Sequence, residues 1–152
     1  MTDVTTAVRS APKRKEWTLA DAFPEIDQGV QPLGHKVLLQ IRTSRPRSAG
    51  GIILTQDARE YEKLTSQVGK VLALGALCFK NRTTGESWPE ENWINVGDYV
   101  LIPQHGGNRW NVPHKESDDF GSSQIDISFA IINDFELVGK ITGDPLKIKS
   151  GL

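Results

Sequence analysis

Apolar positions recur at every second residue in short stretches of this chain, separated by polar segments that carry Gly or Pro. Val37, Leu39 and Ile41 alternate with Lys36, Leu38 and Gln40, the period of a strand with one face buried. A dense apolar run follows between Gly69 and Gly75, where Val71, Leu72, Ala73 and Leu74 predict a central strand within Val68 to Leu77. Thr83-Thr84-Gly85 lies between strand-like flanks from Phe79 to Trp88 and predicts a hairpin. Asn95-Val96-Gly97-Asp98 reads as a turn into Tyr99-Val100-Leu101-Ile102, a short strand halted by Pro103. Gly106-Gly107 opens a polar connection through Ser123. Beyond it Ile125, Ile127, Phe129 and Ile131 alternate with Asp126, Ser128, Ala130 and Ile132. Phe135, Leu137 and Ile141 then alternate with Glu136, Val138 and Lys140 as a last strand.

These strands occupy residues 32–142 and predict an all-β domain, a small barrel or sandwich. Residues 1–31 form a polar N-terminal arm interrupted by Pro12, Pro24 and Gly29, expected to be flexible. Within the arm Thr18 caps a short helical turn, Leu19 to Phe23, with Asp21 three residues after the cap. Residues 143–152 read as a tail.

Composition agrees with one soluble domain: 152 residues, 38% hydrophobic and 24% charged, with 14 Gly and 8 Pro that favour turns over long helices. A formal net charge of -1 supplies no global attraction to nucleic acid or to an anionic membrane. No apolar stretch approaches the roughly 20 residues that span a bilayer. One cysteine, Cys78, excludes an intramolecular disulfide and fits a reducing, cytoplasmic setting; it follows Ala76-Leu77 and reads as a buried structural thiol. Arg9, Lys13, Arg14 and Lys15 precede no continuous hydrophobic run, so a secretory leader is not indicated, and Asp3, Glu16 and Asp21 count against a transit peptide.

The chemistry-bearing residues do not assemble into a catalytic or cofactor motif. Gly106-Gly107 lacks the spacing and lysine of a phosphate-cradling loop, so intrinsic nucleotide hydrolysis is not expected. His35, His105, His114 and Cys78 are too scattered for paired metal ligands, and no cofactor is expected. Glu90-Glu91 and Asp118-Asp119 fall in expected loops and read as solvated charge rather than a paired acid and base. Lys13-Arg14-Lys15 with Trp17, together with Trp88, Trp93 and Trp110, offers an alternative: a β-barrel that binds single-stranded nucleic acid. In a small β domain, tryptophans more often fill the core or a hairpin.

One segment resists a bland reading. In Ser48-Ala49-Gly50-Gly51-Ile52-Ile53-Leu54-Thr55, three large apolar residues follow a Gly-Gly pair inside a long stretch, Arg42 to Leu64, whose remaining composition is that of an exposed loop. The competing reading is a short core strand.

SAGGIILT resembles the mobile-loop motif of the GroES-like co-chaperonins, and it follows an opening strand reading PLGHKVLLQI. GKVLALG (69–75), NVGDYVLI (95–102) and the closing IDISFAIINDFELVGKI are similar to further family segments in the same order, so the resemblance covers Pro32 to Ile141. It implies a small irregular β-barrel that assembles as a seven-membered ring, with a mobile loop at about residues 43–66 of each subunit reaching a GroEL-like chaperonin ring. Carried over residue by residue, the chaperonin contact falls on Ile52, Ile53 and Leu54, and the loop hinge on Gly50 and Gly51. Pairing of the last strand with a neighbour's first strand places Lys36, Val37, Leu38, Leu39, Gln40, Ile41, Phe135, Glu136, Leu137, Val138 and Ile141 at the subunit interface. The implied function is non-enzymatic: a lid that encloses an unfolded client protein, with nucleotide control left to the chaperonin.

Departures from the family pattern are local. His35-Lys36 stands where the family usually has an Asp-Arg pair, and the arm, the 107–124 connection and the tail extend a typical bacterial member. Such divergence suits a phage-encoded lid acting in an infected host cell. Zinc-dependent dehydrogenases share the GroES-like fold, but this chain has neither a ligand cluster nor a dinucleotide fingerprint.

Overall fold

The computed structural model describes residues 17–43, 67–89, 93–104, 106–118 and 121–148. Its strands are β1 (Lys36–Ile41), β2 (Val68–Leu74), β3 (Tyr99–Leu101), β4 (Asn108–Asp118), β5 (Gly121–Asn133) and β6 (Gly139–Lys140). They form one antiparallel six-stranded sheet in the order β4-β5-β1-β2-β3-β6, so β4 and β6 are its edges. The all-β class expected from the sequence is observed. Among the described residues a four-residue helix, α1 (Leu19–Ala22), precedes the sheet.

Both faces of the sheet are covered. On one face Val37, Leu39 and Ile41 pack with Val71, Val100, Ile102, Ala130 and Ile132. The opposite parity of β5 contributes Ile125, Ile127 and Phe129, which pack with Leu72, Trp110, Val112 and Ile26. This corrects the expectation that β1 buries a single face: Leu38 and Gln40 are also buried. The reason lies in residues expected to form a flexible arm. Pro24 accepts a hydrogen bond from the Gln40 side-chain amide at 2.9 Å, and Ile26 joins the second apolar layer.

Two glycines are required for different reasons, Gly75 by a close approach of the chain and Gly97 by its backbone conformation. Gly75 lies so near the backbone of Leu33 and Gly34 that a Cβ there would run into the Gly34 carbonyl. At the middle of β2 the Val96-Gly97-Asp98 turn is tied to the strand twice: Gly97 N–H donates to Val71 O and Val71 N–H to Asp98 O, both at 2.8 Å. Gly97 sits at φ 96°, and the Asp98 carboxylate accepts the Asn95 N–H at 2.8 Å.

Two stretches depart from the expected elements. The polar connection through Ser123 is in fact β4 and the start of β5, paired residue by residue from Asn108↔Ile131 to Asp118↔Gly121. Pro113 is accommodated because β4 is an edge strand, where an absent N–H costs no ladder bond on the open side. The continuous last strand, Phe135 to Ile141, is replaced by a 3-10 turn over Asp134–Glu136 and the two-residue β6. Asn133 and Glu136 close this turn reciprocally, with the Asn133 N–H donating to the Glu136 carboxylate at 3.1 Å.

The Phe79 to Trp88 hairpin forms as expected. Lys80 bridges Ser87, Trp88 N–H donates to Phe79 O at 2.9 Å, and Asn81 N–H to Glu86 O at 2.7 Å. The expected capping of α1 is also present: Asp21 N–H donates to the Thr18 hydroxyl at 3.4 Å, and Thr18 N–H to the Asp21 carboxylate at 3.0 Å.

Candidate docking site and its supports

Ile52, Ile53, Leu54, Gly50 and Gly51 lie outside the described residues. The described structure shows the base from which the segment that carries them departs. Strand β1 ends at Ile41 and β2 begins at Val68; the two strands are adjacent and antiparallel, with Ile41 opposite Gly69. The 44–66 segment is therefore closed at its foot by a hydrogen-bonded ladder. Arg42 N–H donates to Val68 O at 3.0 Å, which extends the closure beyond Ile41, and Ile102 N–H donates to Gln67 O at 2.8 Å, which ties the returning stem to the residue after β3.

The residues expected at a subunit interface divide into two groups. Val37, Leu38, Leu39, Gln40 and Ile41 are buried, and β1 is hydrogen-bonded along both sides to β2 and β5 of its own chain. Lys36 is exposed and donates from Nζ to Asn133 Oδ1. In the second group Phe135 and Val138 are 59% and 66% exposed, while Leu137 packs against the main core and Ile141 against Phe23 and its neighbours. Glu136 is committed to Asn133. Leu33, before β1, is 75% exposed, Asp134 N–H donates to His35 O at 3.0 Å, and the Arg82 guanidinium lies over the Phe135 ring at 5.6 Å.

The residues considered for other chemistries are placed differently. Trp88 and Trp93 meet edge to face at 5.2 Å, and both contact the Phe79 ring. Trp110 stacks on Phe129, and Trp17 packs with Phe23 and Val68. All four tryptophans are half-buried and pack against side chains of the protein itself, which gives each a structural role. Cys78 is buried and its Sγ donates to Lys36 O at 3.0 Å; burial, with a smaller contribution from the Asp134 charge, pushes its pKa up to about 11. A thiol held neutral is a poor nucleophile. Among the described residues, no group of three or more His, Cys, Asp or Glu comes together in a way that could hold a metal ion.

Two functional supports were invisible in the pattern. Asp134 is buried and accepts N–H bonds from Phe79 and Phe135; Arg42 is buried and reaches carbonyls at Pro145 and Ile148. Each depends on partners far away in the chain.

The family model described as the chaperonin 10 Kd subunit matches residues 29–126. The chain belongs to this family. Curated co-chaperonins GroES are similar to it: that of Tetragenococcus halophilus is 33% identical over 79 residues, covering 52% of this chain and 76% of the relative. The GroES of Exiguobacterium sibiricum is 30% identical over 87 residues, 57% of this chain and 84% of the relative. The GroES of Thermus thermophilus is 29% identical over 92 residues, 60% and 83% respectively. The family match begins after α1 and ends before the last turn of the sheet.

Proposed function

We propose that this protein is a lid for a GroEL-type chaperonin ring, docking through Ile52, Ile53 and Leu54 and enclosing a folding client without hydrolysing nucleotide itself. The observation that carries this reading is membership of the chaperonin 10 Kd subunit family together with a Gly-Gly-Ile-Ile-Leu motif in a segment closed at its foot by β1 and β2. The lid would act in the bacterial cytoplasm, or in an infected cell if a phage encodes it.

Energetics favour a ring. Burying each Ile or Leu of the triplet is worth roughly 1.5–3 kcal/mol, whereas ordering each residue of the segment costs about 1–2 kcal/mol. A single subunit therefore binds weakly. Linking several identical docking segments makes each later contact effectively intramolecular, so the ring holds tightly while any one contact still releases. The exposed side chains of Leu33, Phe135 and Val138, together with edge strand β6, support a seven-membered ring in which the closing segment of one subunit meets the opening segment of the next.

Native mass of the purified chain tests the assembly: a heptamer is expected, and a monomer at micromolar concentration would refute it. Capture on a GroEL ring in the presence of nucleotide tests docking. Replacement of Ile52, Ile53 and Leu54 by Ser should abolish capture and assisted refolding while leaving the ring mass unchanged; retention of both activities would refute the assignment.

A further inference from the structure

The two ends of the described chain meet at one place, and that place is the foot of the 44–66 segment. Ala22 and Phe23, from α1 and its cap, form a buried cluster with Val68, the first residue of the returning stem. Leu146, Ile148 and Ile141 from the C-terminal stretch pack on the same cluster, as do Tyr99 and Leu101. On the outgoing stem Thr43 N–H donates to Ala22 O at 2.9 Å, and Thr43 is itself buried. The preceding residue, Arg42, is 9% exposed, and its Nη1 donates to Pro145 O at 2.8 Å and to Ile148 O. Thus the outgoing stem is bonded to both termini, and the returning stem is packed against both. The helix and the 141–148 stretch lie outside the residues that match the family.

We propose that α1 and the stretch Ile141–Ile148 form a collar that fixes both stems of the 44–66 segment, with Arg42 as the positioning residue that ties the tail to the outgoing stem. This rests on the reading that Ile52, Ile53 and Leu54 dock on a chaperonin. A buried guanidinium requires hydrogen-bond acceptors, and two carbonyls of the tail serve Arg42, so the stem and the tail are tied together. On that reading, fixing both stems lowers the ordering cost that docking has to meet. The collar thereby tunes docking strength from residues that do not touch the partner.

The test uses the full-length ring with Arg42→Ala, with Leu146→Ser/Ile148→Ser, and with all three changes combined. Amide hydrogen exchange at Thr43 reports the outgoing stem directly, and capture on GroEL with nucleotide reports docking. Each change is expected to speed Thr43 exchange about tenfold, as loss of a buried hydrogen bond predicts, and to weaken capture several-fold with ring mass unchanged. The combined variant should be little worse than either change alone, since all act through one unit. Arg42→Lys, which keeps a charge and donors, should restore part of both effects and serves if Arg42→Ala does not fold. Unchanged Thr43 exchange, or weakened stability with unchanged capture, would overturn the collar. The Ser triplet at residues 52–54 separates the two claims: it should abolish capture but leave Thr43 exchange as in the parent. If that triplet still captured, the docking assignment would fail, whereas the exchange result would still decide whether the stems are fixed.

Discussion

The Asp134 carboxylate accepts the backbone N–H of Phe79 at 2.9 Å, and Phe79 holds φ at 59°, the one positive value at a non-glycine position among the described residues. A left-handed conformation at a bulky residue costs about 1–2 kcal/mol and persists only where its surroundings impose it. Here Asp134, itself 2% exposed, supplies the acceptor, while Trp88 and Trp93 pack on the Phe79 ring. Asp134 also accepts the Phe135 N–H at 2.8 Å, so one carboxylate joins the hairpin to the 3-10 turn that carries exposed Phe135.

Asp134→Ala should therefore lower stability by about 2–4 kcal/mol, since it strands two backbone donors and releases a strained residue. Asp134→Asn, which retains one acceptor, should lose roughly half as much. Urea unfolding followed by tryptophan fluorescence measures both, because Trp88 and Trp93 report the same corner. Equal stability of Asp134→Ala and the parent would show that the acceptor is replaceable.

Strands β1, β2, β3 and β5 were legible because each carries a periodic or continuous apolar run, and α1 because Thr18 and Asp21 stand three apart. Strand β4 was not. Its partner β5 supplies the apolar layer, leaving Asn108, Asn111, Pro113 and Lys115 free to be polar or helix- and strand-breaking at an edge. The alternation from Phe135 to Ile141 mimicked a strand, but the Glu136 carboxylate accepts the Asn133 N–H and the Asp134 carboxylate the Phe135 N–H, and these local bonds tighten the chain into a turn. The triplet proposed to dock stood out as an apolar run after Gly50-Gly51 in a polar stretch, and its proposed role came from a resemblance of motifs, not from periodicity. Arg42 and its distant carbonyls left no local signal at all, since the bond spans 103 residues.

Cys78 should be inert to alkylation at pH 8 in the folded protein. Burial raises its pKa from an ordinary 9.0 to about 11, so the thiolate is scarce until strongly alkaline pH. The sign for stability follows from the same shift. Between pH 9 and 11 the unfolded chain gives up the proton while the folded chain keeps it, so stability present below pH 9 falls as pH rises through this window. Tyr99, also pushed up by burial, acts in the same direction above its ordinary 10.0. Cys78→Ala should flatten part of the alkaline decline in melting temperature, and a decline unchanged by that substitution would assign it elsewhere.

Gly75→Ala should be severely destabilising, by about 2–4 kcal/mol. The added Cβ would meet the carbonyl of Gly34, a backbone atom that cannot swing aside as a side chain would. Relief requires β1 and β2 to separate at the end where Val37 pairs with Leu74. Gly85→Ala is the useful contrast: Gly85 has φ 74° but open space around it, so only the conformational cost of about 1 kcal/mol remains. Thermal unfolding of the two variants should rank them in that order, and the reverse order would mean that the Leu33-Gly34 turn yields freely.

Asp98 offers a case where two interactions at one residue can be weighed. Its carboxylate lies 3.3 Å from Lys140 Nζ, an ion pair between side chains 24% and 43% exposed that joins the turn to β6. The same carboxylate accepts the Asn95 N–H at 2.8 Å inside the turn. A partly exposed pair contributes at most about 1 kcal/mol and is screened by salt, whereas the backbone hydrogen bond to a charged acceptor is worth about 1.5–3 kcal/mol. Lys140→Ala should therefore cost less than about 0.5 kcal/mol, and Asp98→Ala about 1.5–2 kcal/mol, with only the former effect vanishing in 1 M salt. The turn also positions Val71 through Asp98 O, so loss of the Asp98 side chain should speed exchange of the Gly97 and Val71 amides, while loss of Lys140 should leave them unchanged. Equal costs for the two substitutions would mean that the ion pair, and not the turn, secures the last strand.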